Sequence, residues 1–215
     1  MLFVDADCKL QTDCLTTLAS AIRDSPQHNC FQLHLTGDRA GLVGRAEELR
    51  LNTLQNHLLQ PNGCIRYLNT SGFAIRRKSV EVERGLFDPA ALRAEDTLLL
   101  ADLMQIGELP LFVTNAIVQH GIPSSLIKCL LKDMRSAYLK GSTFDLIASK
   151  GVRIRASHRE RLGMMSSMWK TSQRQSIGRL AWFVVLTRQV LARIVSVVCS
   201  CFRLRPSSHT PASSS

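Results

Sequence analysis

Short apolar segments alternate along this chain with segments of helical periodicity, and that alternation most constrains the fold. Strands are predicted where apolar residues run together or alternate with polar ones, at 1–5, 30–35, 64–68, 72–75 and 109–118. Amphipathic spacing predicts helices between and after them, at 14–23, 44–59, 79–85, 95–106 and 126–139. Because alternating strands and helices with short connections pack in layers, we expect an α/β fold.

The charge of the chain is concentrated at one end. Residues 151–215 carry eleven Lys and Arg and a single acid, Glu160, so they hold all of the net charge of +10. The predicted organisation is a main domain over 1–145, a basic amphipathic helical tail over 146–205 and a disordered Ser/Pro-rich end at 206–215. The tail therefore needs an anionic partner, and the candidates are anionic lipid and nucleic acid.

Asp5-Ala6-Asp7 follows the apolar run Met1–Val4. Carboxylates two residues apart on an extended chain point the same way. At the carboxyl end of a strand they face the crevice where open α/β sheets bind ligands. Such oxygen ligands suit Mg²⁺ or Mn²⁺ carrying a diphosphate. The alternative is a chance occurrence in a loop, because the motif is short.

Three more polar elements stand at predicted strand or helix ends. Arg76-Arg77 follows the strand at 72–75, Glu95-Asp96 begins a helix, and His120 closes the last strand. Each has a structural explanation as well, namely a solvated face, a helix cap and a solvent-facing strand end. Their joint order along the chain favours a single functional site.

Four stretches follow one another in a fixed order: LFVDADC (2–8), LNTSGFAIRRKSV (68–80), GLFDPAALRAEDTLLLADLMQIGE (85–108) and AIVQH (116–120). In this order the chain resembles the inverting family 2 glycosyltransferases of the GT-A fold, over roughly residues 1–145. The resemblance implies a partial GT-A domain, which is a Rossmann-like mixed sheet with flanking helices. It implies transfer of a sugar from a nucleotide-sugar donor to a glycan or lipid-linked acceptor, in cell wall or polysaccharide biosynthesis.

The resemblance assigns donor and metal roles to particular residues. Asp7 corresponds to the aspartate that coordinates Mg²⁺ or Mn²⁺ at the donor diphosphate, and Asp5 to its partner at the ribose or a metal-bound water. His120 corresponds to a further metal or diphosphate contact. Arg76 and Arg77 correspond to positions near the diphosphate or the acceptor. A metal ion in such a site neutralises charge that develops on the leaving oxygens.

The resemblance also assigns the catalytic residues. Asp96 corresponds to the base that deprotonates the acceptor hydroxyl, and Glu95 to a residue that orients the acceptor or that base. Inverting transfer is a single displacement at the anomeric carbon, so it needs a base on one face and a stabilised leaving group on the other.

The chain departs from the family pattern in three places. Family members carry about 80–100 residues before the Asp-x-Asp strand, the size of a nucleotide-binding half, so we expect a C-terminal portion with an exposed edge at strand 1–5. Ser71 stands where the family often has Gly or Asn. No Gln-x-x-Arg-Trp motif follows His120, which favours single addition over processive polymerisation.

The apolar stretch 180–202 is interrupted by Arg188, Gln189 and Arg193, so its longest uncharged runs fall short of the roughly 20 residues that span a bilayer. We therefore predict an interfacial helix on an anionic membrane, with Trp182 at the headgroup boundary. The alternatives are a helix packed on the main domain and a true membrane span. Seven upstream cations add attraction to such a surface: Arg153, Arg155, Arg159, Arg161, Lys170, Arg174 and Arg179.

Seven scattered cysteines, none in a Cys-x-x-Cys pair, favour reduced thiols in a cytosolic setting. The first residues lack the basic and long apolar segments of a secretory signal. The predicted location is the cytoplasmic face of the membrane, peripheral or anchored through 180–202. Two other functions stay open: a catalytically inactive glycosyltransferase fragment, and an anionic-surface or nucleic-acid-binding protein. The scarcity of aromatic side chains for base stacking disfavours nucleic acid.

Overall fold

The structure is a computed structural model that describes residues 1–38, 41–80, 85–89, 91, 93–121, 125–154, 156–174 and 178–203. The predicted disordered end at 206–215, Arg155 and most of the helix predicted at 79–85 lie outside these residues. The strands are β1 (Leu2–Phe3), β2 (Cys8–Leu10), β3 (Cys30–Gly37), β4 (Phe73–Ile75) and β5 (Leu111–His120). The helices are α1 (Cys14–Asp24), α2 (Gly41–Leu58), α3 (Glu95–Gln105), α4 (Leu126–Ser149), α5 (His158–Arg174) and α6 (Arg179–Arg203). Thr70–Gly72 and Arg77–Ser79 each form one 3₁₀ turn.

The five strands form one mixed sheet in the order β1-β4-β3-β5-β2. Strands β3 and β5 are parallel, and β4 pairs antiparallel with both β1 and β3. Strands β1, β3 and β5 therefore run in one direction, while β2 runs antiparallel to β5 at the other edge. The predicted α/β class is confirmed.

The segment from Val4 to Asp7 crosses the carboxyl end of this sheet. It joins β1 to β2, which lie at opposite edges, and four extended residues reach only about 14 Å. The strand predicted at 1–5 ends at Phe3, the last of its residues that pairs with β4. A turn replaces its last residues, closed by a hydrogen bond from the Cys8 amide to the Asp5 carbonyl of 3.0 Å.

Apolar side chains on the two faces of the sheet form separate clusters. One contains Leu33, Leu35 and Val118 of the central strands with Leu18 of α1. A second packs Phe73 and Ile75 of β4 against leucines of α3. The strand predicted at 64–68 is wrong: Cys64 and Ile65 make only isolated bridges to Leu111 and Leu59, because Gly63 at φ +80° turns the chain there.

The helical tail packs on the main domain instead of standing apart from it. Ala46 and Leu49 of α2 are buried against Met168 of α5 and against Val184 and Val185 of α6. Helix α4 continues through residue 145, the predicted domain boundary. The segment Arg179–Cys199 of α6, with mean hydropathy 1.6, is nevertheless long and apolar enough to cross a membrane by length and composition.

Trp182, predicted at a headgroup boundary, is half-buried and contacts α5. Its ring lies edge-on to Trp169 at 5.0 Å between centroids, and its indole N–H donates to the Met165 carbonyl at 3.4 Å. Phe183, the next residue, is the exposed aromatic of this turn.

A buried ion-pair network fastens α6 to α2 and α4. The Arg188 guanidinium donates to Asp133 Oδ2 at 2.7 Å and to Glu47 Oε2 at 2.9 Å, and Arg50 donates to the same Glu47 oxygen at 3.0 Å. Burial opposes ionisation of Glu47, but Arg50 and then Arg188 lower its pKa to about 2. Arg188 is therefore paired inside the protein. The sequence analysis treated it as a charge that interrupts the apolar stretch 180–202.

Replacing Arg188 with methionine should lower the free energy of unfolding by about 3–5 kcal/mol, because it leaves the buried Glu47 and the half-buried Asp133 short of a partner. Urea unfolding measures the change. Arg193→Met on the exposed side of the same helix is the matched control and should cost under about 0.5 kcal/mol. Equal losses in the two variants would contradict an internal role for Arg188.

The contribution of Glu47 should depend on pH with a defined sign. Its pKa is about 2 in the folded chain against an ordinary value of 4.5, so ionisation favours folding above pH 4.5. That contribution, about 3 kcal/mol, is lost as pH falls through 4.5 towards 2. The stability difference between wild type and Glu47→Gln should shrink over this range. Parallel pH profiles of the two proteins would show that Glu47 is not held ionised by its partners.

Candidate active site at the carboxyl end of the sheet

A cleft of about 1200 Å³ opens where β1 and β5 end. The residues lining it include the sequence-predicted Asp5, Glu95, Asp96 and His120. Residues of α4, α5 and α6 line it as well, namely Lys132, Asp133, His158, Arg161, Arg188 and Arg193. The fold thus brings acids that are far apart in sequence into one cleft, together with cations of the tail.

Asp5 is oriented by a chain of hydrogen bonds that begins in the core. Gln32 of β3 is fully buried, donates to the Gly72 carbonyl at 2.9 Å and accepts from the Asn69 amide at 2.8 Å. Asn69 in turn accepts from the Ser71 amide, and the Ser71 hydroxyl donates to Asp5 Oδ2 at 2.6 Å. Ser71, a departure from the family pattern, therefore holds the carboxylate in the cleft.

Gln32 supports the loop that holds Asp5, and the sequence analysis gave it no role. A signal for it exists, because a glutamine stands between Phe31 and Leu33 in a strand whose residues are almost all buried. A fully buried amide must find partners for both its donor and its acceptor groups. Here those partners are backbone groups of the loop that carries Ser71.

Asp7, Cys8 and His120 form a second group. The Asp7 Oδ1 atom lies 4.0 Å from His120 Nε2 and accepts a weak hydrogen bond from Cys8 Sγ at 3.9 Å. Cys8 and His120 are partners across the β2–β5 ladder, and one ligand atom from each of the three residues lies within 4.8 Å of the others. Asp5, predicted as a metal ligand, instead bonds to Ser71 and lies outside this group; Cys8 was not predicted.

The chemistry of these three side chains fits a divalent cation that accepts nitrogen and sulfur as well as oxygen. Burial, and then the carboxylates of Asp7 and Asp5, raise the pKa of the Cys8 thiol, so Cys8 is protonated at neutral pH. A metal that takes Cys8 as a ligand must therefore displace this proton, which makes its affinity rise with pH.

Gly121 allows the Asp turn to approach β5. Its amide donates to the Asp7 carbonyl at 2.8 Å, and a Cβ added at this position would overlap the same carbonyl oxygen. The approach places Asp7 beside His120. The sequence analysis gave Gly121 no role, because a glycine after a strand is the common case in a turn.

Glu95 and Asp96 begin α3 after a backbone of unusual conformation. Ala94 has φ 63° and ψ 35° and is the non-glycine residue with positive φ among those the structure describes. The left-handed region costs a non-glycine residue about 1–3 kcal/mol and persists where the surroundings require it, commonly at functional sites. The strain turns the chain so that both acids line the cleft at the positive end of the helix dipole.

Tyr67 lies in the same cleft as Asp96. Burial raises the pKa of its phenol to about 12, and the Asp96 carboxylate contributes in the same direction. The phenol therefore stays protonated at any physiological pH and can donate a hydrogen bond inside the cleft.

Arg76 and Arg77, predicted at the donor, are not brought to this cleft. Because β4 runs antiparallel to its neighbours, its end lies at the opposite edge of the sheet. Arg76 donates to the carbonyls of Ile22, Ser25 and His28, and so ties the end of α1 to β4. Both arginines line a smaller depression beside α1.

Comparison of the sequence with models of known protein families found no match, and neither did comparison with curated proteins.

Replacing Gly121 with alanine should separate Asp7 from His120, because the added Cβ cannot fit against the Asp7 carbonyl. We expect a stability loss of about 1–3 kcal/mol and a change in the NMR signals of the His120 ring. Gly163→Ala in α5 is the matched control, since its Cβ meets a movable His57 ring at 3.3 Å and helix propensity favours alanine. An unchanged His120 signal in Gly121→Ala would contradict the packing described here.

Proposed function

We propose that this chain is a glycosyltransferase with a partial GT-A fold that transfers a sugar, with inversion, from a nucleotide-sugar donor to a glycan or lipid-linked acceptor. One observation carries the proposal. Asp5, Glu95, Asp96 and His120 line a single cleft, with Asp7 beside His120, although separate elements of the fold supply them. These are the residues, in the order, that the sequence resemblance singles out.

The sheet supports the same proposal. Three strands of one direction, with a short antiparallel strand between two of them, form a mixed sheet, and a mixed sheet is compatible with the proposed GT-A fold. In open α/β sheets ligands bind outside the carboxyl ends of the strands. The acids lie at that end, and Asp5 follows the first of these strands directly.

On the donor side, Asp7 and His120 would hold a divalent cation, with Cys8 as a third ligand. Of the two predicted cations, Mn²⁺ accepts the nitrogen of His120 more readily than Mg²⁺, which prefers oxygen ligands alone, whereas a Cys8 thiolate suits a softer ion such as Zn²⁺. The cation, when bound, neutralises charge on the leaving diphosphate. Asp5, oriented by Ser71, accepts a hydrogen bond from the donor ribose or from bound water. Arg161 and Arg193, which also line the cleft, add positive charge for phosphate oxygens.

On the acceptor side, Asp96 acts as the base that takes the proton of the attacking hydroxyl. Its Oδ1 accepts from the Thr97 amide at 2.6 Å, which positions the carboxylate at the helix start. Glu95 orients the acceptor, and the neutral Tyr67 phenol donates a hydrogen bond across the cleft. The attack comes from the face opposite the leaving diphosphate, as inversion requires.

The acceptor of this proposal is lipid-linked or at the cell surface, and the location is the cytoplasmic face of the membrane. The apolar helix α6 supports association with a membrane. Arg188 is paired with Glu47 and Asp133, and Arg66 is paired with Glu160. Fewer cations are therefore available to bind a polyanion than the composition of the chain implies. Nucleic-acid binding is therefore disfavoured.

Titration of the whole chain with UDP should show binding that depends on Mn²⁺. Asp7→Asn and His120→Gln should each weaken this binding tenfold or more, because even residues that only support a metal ligand contribute about 10–100-fold to metal affinity and a direct ligand contributes at least as much. Asp24→Asn on exposed α1 is the matched control and should bind as wild type does. If the folded wild-type chain binds no UDP with Mn²⁺, the proposal fails and the inactive-fragment alternative takes its place.

Asp96→Asn should separate binding from chemistry. The variant should keep the Mn²⁺-dependent affinity for UDP and lose about 10²–10⁴ of the rate of sugar transfer or of donor hydrolysis, since a general base contributes that much. Release of UDP from a panel of UDP-sugars measures the rate. Loss of UDP binding in Asp96→Asn, or full activity, would contradict its assignment as the base.

A further inference from the structure

Helix α6 places a row of apolar side chains in the cleft. Leu186, Val190 and Ile194 follow one another at intervals of four residues, so they lie on successive turns of one side of the helix, and all three line the cleft. Val190 is 48% exposed and Ile194 is 53% exposed. Because ligand pockets are lined mainly by apolar side chains, this row fits an apolar part of a ligand.

A cation lies beside this row on the same helix. Arg193 lines the cleft, and it follows Val190 by three residues and Leu186 by seven, which places it on the same side of α6. Gln189, four residues before Arg193, lines the cleft as well and offers an amide that can donate hydrogen bonds. One stretch of α6 therefore presents hydrocarbon and positive charge together.

The neighbouring helices add further positive charge to the cleft. Lys132 of α4 and Arg161 of α5 line it, and both helices pack against α6. Among the described lining residues of these three helices the acid is Asp133, and its carboxylate accepts from Arg188 at 2.7 Å. The helical part of the cleft therefore complements an anion.

A phosphate on a hydrocarbon chain combines the two properties that this part of the cleft complements. A free phosphate would leave the apolar row in water, and an uncharged lipid would leave Arg193 without an anion. One row of side chains along a single helix fits one hydrocarbon chain, whereas a membrane phospholipid carries two. The chemistry thus favours a single-chain lipid phosphate.

We propose that the acceptor of the transfer reaction is a single-chain lipid phosphate held by α6. Its hydrocarbon chain lies along Leu186, Val190 and Ile194, and its phosphate pairs with Arg193. The inference rests on the proposed function for the reaction that this molecule undergoes, and it names the class of the acceptor. Binding of the lipid phosphate itself can be measured without sugar transfer.

The test is isothermal titration calorimetry of the whole chain with dodecyl phosphate, kept below its micelle concentration. Wild type should bind it at least about a hundredfold more tightly than inorganic phosphate, because several methylene groups leave water. Val190→Gln should weaken the binding about tenfold.

Val198→Gln is the matched control for the apolar row. Val198 is 45% exposed on the same helix and is not among the described residues that line the cleft. It lies about 140° around the helix axis from Arg193, since successive residues turn by about 100°. This variant should bind dodecyl phosphate as wild type does.

Arg193→Gln tests the contact with the phosphate. It should weaken binding of dodecyl phosphate about tenfold, because hydrogen bonds to a charged group contribute about this much. Dodecyl maltoside, an uncharged amphiphile with the same chain, should bind weakly and equally to Arg193→Gln and wild type. Arg174→Gln in α5 is the matched control, because Arg174 is exposed and is not among the described residues that line the cleft.

Each contrary outcome overturns the inference. If dodecyl phosphate does not bind the folded wild-type chain, the site is absent, and if dodecyl maltoside binds as tightly, the phosphate contact is absent. Equal losses in Val198→Gln or Arg174→Gln would show a general effect of substitution. Tighter binding of dihexanoyl phosphatidylglycerol would assign the row to a membrane phospholipid.

The titration with dodecyl phosphate needs neither UDP nor Mn²⁺, so the two proposals fail separately. A chain that binds UDP with Mn²⁺ but not dodecyl phosphate keeps the proposed function and loses this acceptor. A chain that binds dodecyl phosphate but not UDP loses the proposed function, and with it the acceptor role of the lipid.

Discussion

Four residues join β1 to β2, although those two strands lie at opposite edges of the sheet. This short connection is the constraint on which the candidate site depends. It carries Asp5 and Asp7 across the carboxyl ends of the strands. There Asp5 accepts a hydrogen bond from the Ser71 hydroxyl, and Asp7 lies beside the His120 ring. The crossing is possible because Gly121 lets the Asp7 carbonyl approach β5 without a side chain between them.

The crossing divides the two carboxylates of the Asp-x-Asp motif between different partners. On an extended chain they would share one ligand, as the sequence analysis assumed. In the turn, Asp5 joins the hydrogen-bonded loop that Gln32 supports, while Asp7 joins His120 and Cys8. The two functions of the proposed donor site, orienting the nucleotide and holding the metal, thus have separate structural supports.

The helical tail completes the cleft. Its basic residues are predicted from sequence to face a membrane, but the fold divides them into two groups. Arg161, Arg188 and Arg193 line the cleft, and Arg188 is also the internal bridge between Glu47 and Asp133. Other basic residues of the tail, among them Arg153, Arg159 and Lys170, are exposed outside the cleft.

The sequence by itself determined the α/β class, most of the helices and the acids at the starts and ends of elements, because periodicity and capping are local properties. Only the tertiary structure decided which of these strand and helix ends lie together at one end of the sheet. Arg76 lies at the other end of the strands because β4 is antiparallel to its neighbours. Cys8 lies beside His120 because β2 pairs with β5. Arg188 points inward because α6 packs on α2. Strand direction, register and helix phase come from packing between residues far apart in the chain, and local patterns carry no record of them.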